Sequence, residues 1–208
     1  MRDVMPLSKL KRFLAPDAAE VQSEPCQRCG ASLPADHQHV ADVERRALLC
    51  VCPACASSLP PNAPETEHRV VPRRYLRVPS TAISDDEWDA FEIPVGIAFF
   101  FHNSILGRTV ASYPSPAGAV ESVLSPDAWQ RVLRASAWAR TLAPDVEALL
   151  VRRTHDASDC FIVPIDACYE LVGRMRRRWS GFGGGPEARE EIESFFAMLR
   201  EKTESVIA

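Results

Sequence analysis

No stretch of the 208 residues is apolar for long enough to cross a bilayer. The longest apolar run, Ile93–Phe101, falls well short of the roughly 20 residues that a spanning helix needs. Met1–Pro16 has neither a long apolar core nor a small-residue cleavage site, so no secretory signal is expected. An excess of positive charge is missing as well. Residues 1–67 carry 7 basic and 9 acidic side chains, residues 68–208 carry 17 and 19, and the formal net charge is −4. Neither part has the basic footprint of a nucleic-acid binder. There is no Ser–His–Asp set, no Cys–His nucleophile with an identifiable base and no dinucleotide fingerprint. Hydrophobic residues make up 46% and charged residues 25%, the balance of a soluble globular chain. The length suits one medium domain, or a small module joined to one domain.

What is present is cysteine in a pattern. Five of the seven cysteines fall in Cys26-Gln27-Arg28-Cys29-Gly30 and Cys50-Val51-Cys52-Pro53-Ala54-Cys55. Two Cys-x-x-Cys pairs with twenty-two residues between them have the spacing of a four-thiolate metal site. Each turn offers two sulfurs to one ion, and two turns face to face complete a tetrahedron. Gly30 suits a turn that needs a positive φ. The expected ligands are Cys26, Cys29, Cys52 and Cys55. Paired thiols without an exported context point to metal in a reducing cytoplasm rather than to disulfides.

Zinc is the expected ion, because it is redox-inert, favours tetrahedral thiolates and holds together ribbons too small for a core. Iron of the rubredoxin type is the alternative. Pro53 fits that pattern, but Ala56 stands where rubredoxins usually carry glycine. Cys50 is surplus. It is a possible substitute for Cys52, a neighbour behind the ligands, a redox-active thiol, or a small buried side chain on the ribbon strand, which is the reading preferred here. His37 and His39 are potential ligands; with four thiolates available they read as exposed loop histidines. The region also resembles an HNH nuclease, but Ala56 replaces the closing histidine and no asparagine lies between 30 and 55.

The expected architecture is α+β: a small four-cysteine metal ribbon (zinc-ribbon or rubredoxin-like), then a domain with a mostly antiparallel sheet and C-terminal helices. An amphipathic helix over 4–14 lies in an N-terminal segment 1–21. The ribbon spans 22–58, with hairpin strands from Val40–Leu49. A proline-rich linker covers 59–67, and the α+β domain covers 68–208. Within it, Arg69–Val78 reads as a strand, and Ser84 with Glu87 as a capping box. Ile93–Phe101 reads as an interior strand, with Val95, Ile97, Phe99 and Phe101 on one face and Gly96, Ala98 and Phe100 on the other. Arg108–Tyr113 is its antiparallel neighbour, followed by a rigid loop at Tyr113–Gly118. A helix over 126–142, strands Val146–Arg152 and Cys160–Ile165, and helices over 166–179 and 186–203 complete the chain. Cys160 and Cys168 read as core.

Three further features are weaker. Ser180–Gly185 precedes Pro186 at a helix start but follows a helix and lacks Lys-Ser/Thr, so it reads as a C-cap and hinge rather than a phosphate cradle. Arg174, Arg176, Arg177 and Arg178 suit the negative end of a helix dipole, or a docking patch for an acidic partner. Glu121, Asp145 and Glu147 could converge near the Tyr113–Gly118 loop, although no spacing requires it.

The two cysteine pairs, Leu48–Cys55, Ile93–Phe101, Tyr113–Ala119, Pro144–Val151 and Val163–Tyr169 together resemble an uncharacterised bacterial family of roughly 200-residue proteins. Its members look like accessory proteins encoded near nickel–iron hydrogenase genes, and the similarity runs from Cys26 to the end. It implies a pathway rather than an activity. The function expected from it is a cytoplasmic metal-binding accessory protein, not an enzyme, that acts with a nickel–iron hydrogenase or its maturation proteins. The alternatives are single-electron transfer by iron and a zinc-ribbon regulator that binds nucleic acid.

Overall fold

The computed structural model describes residues 24–60, 67–154, 157–181 and 183–205. The helix expected over 4–14 and most of the linker expected over 59–67 lie outside these residues.

The described residues form two sheets. A three-stranded antiparallel sheet, order β2-β1-β3, contains β1 (Gln38–Asp42), β2 (Ala47–Val51) and β3 (His68–Val70). A seven-stranded sheet has the order β10-β4-β9-β8-β5-β6-β7. Its members are β4 (Leu76–Val78), β5 (Ile97–Asn103), β6 (Arg108–Ser115), β7 (Gly118–Ser122), β8 (Glu147–Arg153), β9 (Ser158–Pro164) and β10 (Glu204–Ser205). Every pairing in it is antiparallel except β10 with β4. The architecture is α+β, as the pattern of elements requires.

β5 is an interior strand between β6 and β8, and period-two alternation sends its side chains to two cores. Ile97, Phe99 and Phe101 pack with Leu150, Phe161 and Val163 beneath α4 (Ile165–Arg178) and α5 (Gly185–Lys202). Ala98 and Phe100 pack with Leu149, Val151 and Ile162 beneath α2 (Asp85–Ala90) and α3 (Pro126–Ala135). The helices present the stripes their periodicity demands: Leu171, Val172 and Met175 from α4, Phe195, Phe196 and Leu199 from α5, Trp129 and Val132 from α3. Each such side chain contributes about 1.5–3 kcal/mol by leaving water. The Ser84–Glu87 capping box starts α2 as expected, with both reciprocal hydrogen bonds formed. Cys160 and Cys168 are buried, one in each core.

Four elements differ from expectation. The strand expected over Ile93–Phe101 begins only at Ile97 and runs on to Asn103, and Val95 packs with the core of Ala98 and Phe100 rather than with that of Ile97. Arg69–Val78 is not one strand: β3 joins the three-stranded sheet and β4 the large one. Pro72 lies between them and cannot donate to a ladder. The rigid loop expected at Tyr113–Gly118 is instead the end of β6 and a tight turn into β7. Beyond Ser112, β7 is the partner that pairs with β6, so Pro114 is tolerated opposite Ala119. The Ser115 hydroxyl closes the turn, donating to Gly118 O and accepting from Ala117 N. The helix expected over 126–142 stops at Ala135, because Ser136 is extended, and a 3-10 turn follows at Trp138–Thr141.

Gly96, just before β5, marks a close approach. A Cβ there would lie 2.7 Å from the Arg153 carbonyl oxygen, while the Arg153 N–H donates to Gly96 O at 2.7 Å. Gly96→Ala is therefore expected to cost about 1–3 kcal/mol in urea unfolding, because backbone has to move. An unchanged midpoint would mean that the strand ends part freely.

Candidate metal centre

The three-stranded sheet has two working faces. Val40 and Val51 look onto a small core with Cys26, Leu33 and Ala56. Ala41 and Leu48, which face each other across the hairpin, pack against the large core. The four paired cysteines surround the small core.

The first pair sits in a tight turn. Pro25 bridges Ser32, the Cys26 N–H donates to Ala31 O at 2.7 Å, and the Gly30 N–H donates to Cys26 O at 2.8 Å. Gly30 has φ 77°, the positive value that glycine accepts without strain. The second pair forms where β2 ends. Cys52 precedes a one-turn helix, α1 (Pro53–Ser57), and Pro53 occupies its first position, where a missing N–H costs nothing. The two turns are stitched together. Gln27 donates its N–H to Cys50 O at 2.9 Å and accepts the Cys50 N–H on Oε1 at 2.6 Å. Arg28 donates to Cys55 O at 3.1 Å and to Ser58 Oγ at 3.2 Å.

The sulfurs of Cys26, Cys29, Cys52 and Cys55 consequently lie within 4.8 Å of one another. Cys29 Sγ and Cys52 Sγ are 3.7 Å apart. A tetrahedral ion with metal–sulfur bonds of about 2.3 Å separates its sulfurs by about 3.7–3.8 Å. All four thiols are free, so the donor set and its spacing fit one tetrahedral ion. Burial opposes ionisation of Cys26, but backbone N–H groups of Cys52, Arg28 and Cys29 outweigh it and bring the thiol down to about 6. The Cys52 N–H donates to Cys26 Sγ at 3.3 Å. Hydrogen bonding with the side chains of Cys29 and Cys52 pushes Cys55 up to about 12. The group thus accepts its first negative charge readily and its last with difficulty, until a cation supplies the balance.

Cys50 does not join this group. It lies half-buried on β2, directly opposite His39 on β1. The two histidines are not exposed loop residues. His39 belongs to β1, His37 lies just before it, and both are half-buried. Burial, then the neighbouring Glu24 carboxylate, raises the Cys50 thiol. This His37, His39 and Cys50 set is a second grouping that sequence reasoning missed; the alternation of His37 and His39 was the available signal.

The carboxylates do not form an acid–base set, because each belongs to a different arginine. Glu121 pairs with Arg46, Asp145 with Arg69 at 2.7 Å and Glu147 with Arg74 at 2.6 Å. Glu121 and Asp145 share the wall of a cleft of about 610 Å³; Glu147 is outside it. In the arginine cluster, Arg174 pairs with Glu170 and Arg178 approaches Glu191, while Arg176 and Arg177 are exposed at the end of α4. The Ser180–Gly185 segment connects α4 to α5, with the Ser180 N–H donating to Gly184 O. No helix among the described residues is long and apolar enough to cross a membrane.

Comparison with known proteins places these features in a family without a described activity. The model of a family of unknown function, DUF5947, matches residues 25–203, a span that includes all seven cysteines. No curated protein and no solved structure matches the chain.

Proposed function

The chain belongs to the DUF5947 family, whose function is unknown, and from that premise we propose that it is a metal-binding accessory protein rather than an enzyme. Cys26, Cys29, Cys52 and Cys55 hold one zinc ion, which makes the ribbon a rigid docking surface. The observation that carries this reading is the convergence of four free thiols, all within 4.8 Å of one another, on two stitched turns. A four-thiolate site is closed and leaves no position for a substrate, so its contribution is to folding.

Zinc is preferred to iron on a local ground. Ala56 lies in α1, with its N–H donating to Cys52 O at 3.0 Å, so the second turn runs on into a helix. A rubredoxin-type turn would place a glycine there. Regulation through nucleic acid is disfavoured by the acidic balance of the chain. Free thiols throughout suit a reducing cytoplasm.

The partner in this proposal is a nickel–iron hydrogenase or one of its maturation proteins, on the strength of the sequence resemblance alone. Immobilised protein is expected to retain purified hydrogenase subunits or maturation proteins when loaded with zinc, and to lose them after chelator treatment. Absence of retention from the loaded protein would remove this partner class.

A further inference from the structure

We propose that His37, His39 and Cys50 form a second metal site, separate from the four-cysteine centre, with an open coordination position facing a cleft. The three ligands come from one face of the β1–β2 hairpin. His37 and His39 are two residues apart on an extended chain, so they share a face. Cys50 is the direct cross-strand partner of His39. One nitrogen from each ring and the Cys50 sulfur lie within 4.8 Å of one another. Ligand atoms about a tetrahedral zinc stand about 3.3–3.8 Å apart, so small side-chain rotations complete the contact.

Both rings are held as metal-binding imidazoles usually are. His39 Nδ1 is 2.7 Å from Asp166 Oδ2, at the start of α4. His37 Nδ1 is 3.1 Å from the Pro34 carbonyl oxygen. With Nδ1 donating in each case, Nε2 is the nitrogen left to bind an ion. A carboxylate or carbonyl behind a ligating histidine fixes its tautomer in this way. His37 Nε2 supplies the independent observation: it is buried and has no hydrogen-bond partner. A tie between β1 and α4 would need only His39 and Asp166, and would leave that nitrogen unexplained. An unpaired buried nitrogen is costly, and a cation beside it removes the cost.

The two histidines line a cleft of about 830 Å³ that also contains Glu24, Tyr75, Asp166 and Arg177. Glu24 lies beside the Cys50 thiol as well and adds negative charge. Two imidazoles, one thiolate and an open fourth position select a borderline ion of the zinc or cobalt class and admit water or a small anionic ligand. The site is therefore exchangeable where the four-cysteine site is closed. Its neighbourhood links the two, because the backbone of Cys50 holds the first cysteine turn through Gln27.

The test is titration of metal-free full-length protein with Co²⁺, followed by absorption and by metal analysis after dialysis. The parent is expected to bind two equivalents, the second weaker and removed by a mild chelator. His37→Ala combined with His39→Ala is expected to bind one, with the four-thiolate spectrum intact. Asp166→Asn should weaken the second equivalent about ten- to a hundredfold, as loss of a carboxylate behind a ligand does. A parent that binds only one equivalent, or a double-histidine variant that binds two, would overturn the second site. Neither result would affect the four-cysteine reading, which depends on Cys29→Ser losing the tight equivalent. The histidine variants leave Cys50 and the ribbon's backbone bonds in place, so misfolding does not confuse the outcome.

Discussion

Cys29→Ser is expected to strip the protein of its tightly bound metal and to unfold the ribbon. Cys29 is the most exposed of the four thiols, and its side chain is not part of the small core, so the substitution removes little packing. What it removes is one of four ligands. Loss of a group behind a ligand already costs about ten- to a hundredfold in affinity. Loss of the ligand itself should exceed a hundredfold. The small core consists of Cys26, Leu33, Val40, Val51 and Ala56, with a few half-buried neighbours. Such a core is too small to hold the turns without the ion. Protease susceptibility within 24–58 should therefore rise together with metal loss, while the helices under the large sheet persist. Full metal content and an unchanged melting profile in Cys29→Ser would show that the ligands have been misassigned.

Arg69→Met is expected to lower stability by about 3–5 kcal/mol, the usual consequence of removing one partner of a buried ion pair. Arg69 on β3 and Asp145, just before β8, are both buried and 2.7 Å apart. Arg69 also donates to Pro144 O and Ser104 Oγ, and Asp145 Oδ1 accepts the Ser104 N–H at 2.8 Å. This cluster joins the cysteine-bearing sheet to the loop that leads into β8. Methionine fills the space but leaves the Asp145 carboxylate buried without its cation. Arg69→Met with Asp145→Asn should recover part of the loss, since asparagine tolerates the φ of 65° found there. Urea unfolding of the parent, the two single variants and the double variant gives the coupling directly. A change below about 1 kcal/mol in Arg69→Met would place the pair with ordinary surface ion pairs.

The parts of this structure legible in the sequence are those written locally. Two Cys-x-x-Cys pairs announce four sulfurs because each pair is a single turn. Ile93–Phe101 announces an interior strand because a continuous apolar run offers both faces to a core, although the strand itself starts at Ile97. The stripe of Leu171, Val172 and Met175 fixes the buried side of α4 by helical spacing alone. What could not be read depends on register or on partners distant in the chain. The proximity of Cys50 to His39 follows from the β1–β2 pairing, and a shift of one residue would place Cys50 on the opposite face. Arg69, Arg74 and Arg46 find their carboxylates 75 or so positions away, as in the Arg74–Glu147 pair, and no local pattern marks them. Pro72 was visible, yet its consequence, the division of one apparent strand between two sheets, depends on where each half finds a partner.

Metal analysis of full-length protein purified without chelator, together with its absorption spectrum, decides whether the four cysteines hold zinc. One tightly held equivalent of zinc is expected, with no visible bands and with loss of that equivalent in Cys29→Ser. Protein with no tightly bound metal would contradict the four-cysteine centre. An equivalent of iron, with thiolate charge-transfer bands that bleach on reduction, would contradict the zinc assignment and turn the reading to electron transfer.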